Sequence, residues 1–253
     1  MSCDKTVDRE QRLHNRESFL NNIASKLGRD KPLEQVERPE LKHTCHKEVM
    51  ATLSQDELKT ELLHYTQTAL GAKAIVTTAS QLEATLKEVC LSYCEDDQGE
   101  PVEGDTLFSA SERLLALISP QALATDRHHV HVWDQSAGYD ANILIAERAK
   151  VGVVFAEQAL AESGTMVLYS HPAQGRAISL LPEASVFVVP KSTLVARLTQ
   201  ATDVLHEKAK RGERLPSCVN FISGPSSTAD IELIKVVGVH GPIYATYIVI
   251  DDM

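Results

Sequence analysis

The sequence predicts a three-layer α/β fold built on a mainly parallel sheet. Helix and strand patterns alternate from about residue 53 onward, at the spacing that a parallel sheet with crossover helices requires. Several strand candidates are unbroken runs of Val, Ile and Phe, which is typical of strands covered on both faces. With 253 residues, the chain is long enough to bury a full core in one large domain with an appended arm.

The first element is a short helix in an N-terminal arm, residues 1–45. Its run 16–28 repeats apolar side chains at helical spacing: Phe19, Leu20, Ile23 and Leu27. Gly28 is suited to cap the helix C-terminus. The following stretch has two prolines and many charges, so it predicts an extended linker that lies against the domain or a partner. The domain itself is expected over residues 46–253.

The domain opens with a helix, a strand and a second helix. Ser54 with Glu57, and Ser80 with Glu83, form S-x-x-E capping boxes, each of which predicts a helix start. Between the two helices, the run AKAIVTTA predicts the first strand, and an acidic stretch with Gly and Pro predicts a loop over 95–105. Further strands are predicted over 129–134, 151–156, 165–170, 185–190, 218–223 and 244–251. Further helices are predicted near 111–124, 140–150 and 192–211.

The composition excludes several classes of function. The chain has 35 acidic and 25 basic residues and a formal charge of −10, which argues against binding a nucleic-acid backbone. Its longest apolar runs are too short to span a bilayer, and the N-terminus lacks the apolar segment of a secretory signal, so a cytoplasmic location is expected. The five cysteines are irregularly spaced and are expected to be reduced thiols, since the offset of Cys90 and Cys94 matches a helix turn rather than a C-x-x-C motif.

The most distinctive stretch, SGPSSTADIELIKVVGVHGP, covers residues 223–242. Ser227 and Asp230 form a capping pattern that predicts a helix start, where free N–H groups and hydroxyls would bind an anion. The stretch follows a predicted core strand, and ligands gather at the carboxyl ends of the strands in an α/β sheet. The predicted ligand-binding residues are Ser223, Gly224, Ser226, Ser227, Thr228, Asp230 and Gly241, beside His240. The alternative is a pair of ordinary turns around a buried strand.

A second candidate lies upstream, where Glu162 precedes a glycine turn that re-enters an apolar strand. A carboxylate there could be a nucleophile toward an acyl group or an acceptor for a substrate hydroxyl, with His240 as the acid or base. Ser163, Gly164 and Thr165 would contact the same ligand. The alternative interpretation is a capped turn in which Glu162 is solvated.

A third cluster contains Asp126, His128, His129 and His131. His129 and His131 would share a strand face and, with Asp126, could ligate a metal such as zinc. Adjacent histidines are also common at a solvated strand end, and no second ligand set is present in the sequence. No metal is therefore expected.

Three segments resemble the lactate-utilisation protein C family, the LUD-domain group: SGPSSTADIELIKVVGVHGP, AESGTMVLYS and VTTASQLEATL. The resemblance covers most of the chain, including the helical arm RESFLNNIASKLGR. It implies a Rossmann-like sandwich of the NagB/RpiA/CoA-transferase type and a role in bacterial oxidation of L-lactate to pyruvate, beside an iron–sulfur protein and a cysteine-rich protein. Because this chain has no iron–sulfur cysteine set, no cofactor is expected in it and the clusters are expected in the partners.

Three hypotheses of function follow. The first is a non-redox subunit that binds a small carboxylate or a partner at the 223–242 loop. The second is a stand-alone transferase or hydrolase acting on CoA-linked or phosphorylated small molecules through Glu162, because Ala161 to Gly164 partly resembles the S-E-N-G motif of some CoA transferases. The third is a scaffold whose 14–45 arm binds a partner or a second copy of the chain.

Overall fold

The computed structural model describes residues 14–37, 39–96, 98–230 and 232–253. The chain divides into two compact units, Met1–His43 and Thr44–Met253. In the first unit, helix α1 (Arg16–Lys26) confirms the predicted helix, and Gly28 follows it at φ +69°, a conformation that favours glycine. The apolar side chains of this helix are largely exposed, with Phe19 at 64%.

The second unit contains the remaining helices. They are α2 (Cys45–Glu48), α3 (Gln55–Thr68), α4 (Leu82–Ser92), α5 (Glu112–Leu115), α6 (Gly138–Arg148) and α7 (Leu198–Lys210). The capping box at α3 is confirmed, because the Glu57 N–H donates to the Ser54 hydroxyl and the Glu57 carboxylate accepts the Ser54 N–H. The capping box predicted at α4, Ser80 with Glu83, was wrong. A 3-10 turn precedes that helix, and the Glu83 carboxylate accepts the distant Ser119 N–H instead. Among the described residues, no helix is long and apolar enough to cross a membrane.

The main sheet has six strands, all paired in parallel. They are β1 (Lys73–Thr77), β2 (Gly104–Phe108), β3 (His128–Val132), β4 (Val151–Phe155), β7 (Ala184–Pro190) and β12 (Tyr244–Ile250). Their order is β1-β12-β7-β4-β2-β3. Strands β4 and β7 are buried at every residue, which confirms the expectation from their apolar runs. The start of β2 lies inside the predicted loop 95–105, because Gly104 and Asp105 resemble turn residues, so that boundary was wrong.

Helices and a second sheet cover the two faces of the main sheet. One face packs on α4, α5 and the turn that contains Leu123. The other face packs on α3, α6 and part of the second sheet. Successive residues of β7, such as Phe187 and Val188, pack on opposite faces of the sheet, because side chains alternate in direction along a strand. The result is the predicted α/β fold with a buried parallel sheet.

The second sheet has the order β8-β5-β6-β9. Its strands are β5 (Gln158–Leu160), β6 (Thr165–Tyr169), β8 (Leu194–Val195) and β9 (Val219–Ser223). Strand β6 pairs antiparallel with both β5 and β9, while β5 and β8 are parallel. Helix α7 packs on its outer side through Ala201. The predicted strands 165–170 and 218–223 therefore exist, but in this sheet rather than in the main one.

Candidate functional site

Two of the sequence segments singled out above meet where β6 pairs with β9. Thr165 lies directly opposite Ser223, and their hydroxyl oxygens are 2.6 Å apart. The Ser163 hydroxyl lies 2.7 Å from that of Thr165, so the three hydroxyls form a chain of hydrogen bonds. Thr165 is buried, which makes this chain part of the fold as well as of the site.

Tyr247, a residue that sequence reasoning missed, connects the same segments to the main sheet. Its hydroxyl accepts the Gly224 N–H at 2.7 Å and donates to the Gly164 carbonyl at 2.8 Å. The side chain is fully buried, and this burial raises its pKa, although the Gly224 N–H opposes the shift. The phenol therefore stays protonated and can donate and accept at once. The only sequence signal was a hydroxyl-bearing side chain inside the apolar run of β12.

The stretch 223–242 is a β-hairpin, not a helix start. Ser227–Thr228 (β10) pairs antiparallel with Val236–Val237 (β11). Next to this strand pair, toward the ends of the hairpin, the Ser226 N–H donates to the Pro242 carbonyl at 2.9 Å, and the Gly238 N–H donates to the Ser226 carbonyl at 2.9 Å. Backbone pairing thus occupies groups that a helix terminus would leave free, so the capping prediction at Ser227 and Asp230 was wrong. Val236 and Val237 favour this outcome, because β-branched side chains fit strands better than helices.

The location of the hairpin also differs from the expectation. Strand β9, which precedes the hairpin, belongs to the second sheet. After the hairpin the chain returns to the main sheet, where the backbone N–H of Ile243 donates to the Glu183 carbonyl at 2.8 Å. Glu183 directly precedes β7, and Ile243 directly precedes β12. The hairpin therefore leads into the amino edge of the main sheet rather than its carboxyl edge.

A cavity of about 330 Å³ lies at the base of the hairpin. Its lining includes Ser223, Gly224, Ser226, Ser227, His240 and Gly241. Among the described residues, the hydroxyls of Ser226 and Ser227 and the ring of His240 have no hydrogen-bond partner, so they are free to bind a ligand. Thr228 and Asp230 lie on the hairpin but do not line the cavity.

A neighbouring cavity of about 520 Å³ shares Leu180, His240 and Gly241 with the first. Lys150 and Glu183 in its wall form an ion pair at 2.6 Å. The amino edge of the sheet therefore presents two adjoining depressions with His240 between them.

Glu162 does not line either cavity. Its carboxylate pairs with the Arg197 guanidinium at 2.5 Å, and Arg197 also donates to the Cys45 carbonyl at 3.1 Å. The Glu162 N–H donates to the Ala196 carbonyl. Ser163, Gly164 and Thr165 also lie outside the cavity lining, although their backbone and hydroxyls support it through Tyr247 and Ser223.

The histidines near residue 130 do not converge. His128 is buried, with its ring nitrogens bonded to the Thr106 hydroxyl and the Leu123 carbonyl. His129 contacts Glu103, and His131 contacts Asp105. Across the described ranges, no group of three or more His, Cys, Asp or Glu side chains is arranged to hold a metal ion.

Comparisons with known proteins agree with this fold. The LUD domain family matches residues 61–250. The chain is 42% identical over 95% of its length to "Lactate utilization protein C" of Geobacillus sp. (strain WCH70), covering 97% of that protein. It is 44% identical over 95% of its length to "Uncharacterized protein YkgG" of Escherichia coli (strain K12), covering 100% of that protein. A solved structure, a duf162 family protein from Deinococcus radiodurans, superposes with a TM-score of 0.53 at 18% identity, covering 78% of this chain and 99% of that one.

Proposed function

Because this chain belongs to the LUD domain family, we propose that it serves in the utilisation of L-lactate by a bacterium. The observation that carries the proposal is the identity of 42% to a protein called Lactate utilization protein C, across nearly the whole of both chains. Identity at this level, without large gaps in coverage, supports a shared role more strongly than a shared fold does.

We place the redox chemistry of this function in iron–sulfur and cysteine-rich partner proteins. Cys90 is buried in α4, which raises the pKa of its thiol to about 12, and burial likewise raises the pKa of Cys94. A cluster is commonly held by four cysteine thiolates, and across the described ranges no three His, Cys, Asp or Glu side chains come together to hold a metal. Cys45 lies on α2 and Cys218 precedes β9, while Cys3 falls outside the described residues.

The ligand that we assign to the base of the hairpin is a small carboxylate. The backbone amides of Gly224 and Ser226 are already bonded, so recognition falls to the hydroxyls of Ser226 and Ser227 and to His240. Hydroxyls donate to a carboxylate and also accept from a hydroxyl on the neighbouring carbon. A 2-hydroxy acid such as lactate presents both groups, and a partner protein could present the same chemistry on a carboxylate side chain.

Growth on L-lactate tests both parts of the proposal. In a lactate-growing bacterium that lacks its own copy, we expect the wild-type chain to restore growth on L-lactate, and the variant Ser226→Ala/Ser227→Ala/His240→Asn to restore it poorly. The matched control is Thr228→Ala/Asp230→Ala, which alters the same hairpin outside the cavity. All strains should grow equally on pyruvate.

The outcomes separate the role from the site. Unchanged growth on L-lactate in the strain that lacks the gene would contradict the role in lactate utilisation. Full restoration by the triple variant, with the protein folded and present, would contradict the site alone. A common loss in the triple variant and its control would assign the defect to the hairpin as a whole.

The second candidate, a transferase or hydrolase with Glu162 as nucleophile, has weaker support. Glu162 lines neither cavity of the hairpin region, and the Arg197 guanidinium occupies one of its carboxylate oxygens at 2.5 Å. Intact-mass measurement after incubation with a panel of acyl-CoA compounds tests this function. A glutamyl adduct lost in Glu162→Gln would support it.

A further inference from the structure

A cavity larger than the two beside the hairpin lies at the carboxyl ends of the main-sheet strands. Its volume is about 570 Å³, and Glu157 in its wall follows β4 by two residues, so the cavity adjoins the carboxyl end of that strand. The side chains with polar groups in its wall are Tyr169, Ser170, His171, Lys208, Arg214 and Ser217, besides Glu157. We call it the Arg214 cavity. None of the hairpin residues lines it.

The Arg214 cavity adjoins a switch in the topology of the main sheet. Strands β2 and β4 are neighbours. After β2 the chain enters α5, whose Leu114 packs on one face of the sheet, whereas after β4 it enters β5, whose Ala159 packs on the other. Segments that leave adjacent strands toward opposite faces open a crevice at their carboxyl ends, which is where α/β sheets bind ligands.

Several donors in this cavity have no acceptor. The Arg214 guanidinium and the Tyr169 hydroxyl make no hydrogen bond or ion pair with the described part of the chain. Nδ1 of His171 accepts the Ala173 N–H at 3.2 Å, so the proton of the neutral ring sits on Nε2, which is then a donor as well. Burial and the nearby Glu157 raise the pKa of Tyr169, so its hydroxyl keeps the proton it would donate.

The charge of the Arg214 cavity is positive. Its one acidic side chain, Glu157, is paired with Arg113 at 2.9 Å. Lys208 lies 3.6 Å from Glu213, but that carboxylate is more closely bound by Arg211, at 2.6 Å. Arg214 is therefore the cation available to an anion, and Lys208 adds a second positive charge beside it while paired with Glu213, in a chain whose overall charge is −10. A local positive site on an acidic protein is a specific feature rather than a consequence of composition.

We propose that the Arg214 cavity binds the phosphate group of a small phosphorylated organic molecule. A carboxylate has two oxygens, whereas a phosphate has three terminal oxygens and more charge, which suits one guanidinium and two neutral donors beside the positive charge of Lys208. Leu215, Pro172 and Pro216 line the rest of the cavity and would contact the organic part. This site goes beyond the proposed role in lactate utilisation and is independent of the hairpin.

Phenyl phosphate and benzoate form a matched pair of probes, since they share the ring and differ in the anion. Titration calorimetry on the full chain at constant ionic strength should show that phenyl phosphate binds at least about tenfold more tightly than benzoate. Arg214→Gln should weaken phenyl phosphate binding by about 10- to 100-fold. Lys210→Gln is the control, because it removes the same charge nearby, at a residue that does not line the cavity and that pairs with Glu207, which does not line it either.

Each outcome decides the proposal. Loss of binding in Arg214→Gln together with retention in Lys210→Gln supports it. It is overturned by undetectable phenyl phosphate binding, by equal binding of benzoate, or by equal losses in Arg214→Gln and Lys210→Gln, which would indicate general charge attraction. Ser226→Ala/Ser227→Ala should bind phenyl phosphate like the wild type, so failure of this site and failure of the hairpin site are distinguishable.

Discussion

The base and the tip of the hairpin 223–242 differ in burial and in backbone strain. We define the base as residues 223–228 and 236–242 and the tip as the described residues of 229–235. At the base, Gly224 and Pro242 are buried, and the Gly224 N–H is bonded to Tyr247 while the Pro242 carbonyl is bonded to Ser226 across the hairpin. At the tip, Leu233 is 92% exposed.

The backbone shows the same difference. Gly224 and Gly238 take left-handed conformations at the base, where glycine does so without strain, whereas Glu232 and Leu233 take φ of +52° and +58° at the tip. For side chains with Cβ, this conformation costs roughly 1–2 kcal/mol per residue. The base is therefore a preorganised cavity wall, and the described part of the tip is an exposed turn with two strained residues, which contributes little to the stability of the fold.

Gly224→Ala should break the base most severely. An added Cβ would lie 3.0 Å from the Leu70 Cβ, and φ at this position is +68°. We expect the free energy of unfolding to fall by about 2–3 kcal/mol, measured by urea denaturation. Gly212→Ala is the control, since its φ is +74° but its Cβ would meet no atom within 4 Å. Equal losses in the two variants would show that Leu70 does not confine the base.

Tyr247→Phe removes the link between the base and the main sheet with almost no change in volume. The Gly224 N–H and the Gly164 carbonyl would stay buried without a partner, which costs about 2 kcal/mol and lowers the melting temperature by about 4–8 °C. The control is Tyr244→Phe on the same strand, where the side chain is 47% exposed. If both variants melted with the wild type, the phenol would not hold the base.

Sequence reasoning succeeded for helices and strands whose signals lie in residues close to one another in the chain. The apolar runs of β4 and β7 and the capping box at Ser54 depend on residues within a few positions of one another. The Ser80 box failed because Glu83 bonds to Ser119, 36 residues away. Local pattern carries no information on such partners.

The candidate site was predictable in composition but not in geometry. The sequence identified the hydroxyls of Ser226 and Ser227, yet it predicted a helix where Thr228 pairs with Val236. The role of Tyr247 depends on Gly164 and Gly224 meeting in space, which only the pairing of β6 with β9 determines. Glu162 was an expected neighbour of the hairpin, and its ion pair with Arg197 is likewise a long-range contact.

Leu233→Asn should have the smallest effect on the free energy of unfolding, and any change should raise it, whereas the two variants above lower it. Asn tolerates the left-handed conformation better than Leu, and the exposed Leu side chain buries almost no surface that the substitution could lose. We expect the free energy of unfolding to stay within about 0.5 kcal/mol of the wild type or to rise slightly. Ile234→Asn is the control, because its side chain is 61% exposed and it is not among the residues of positive φ, so it gains nothing from strain relief. A loss above about 1 kcal/mol in Leu233→Asn would mean that the tip is packed in solution and that base and tip do not differ as the structure indicates.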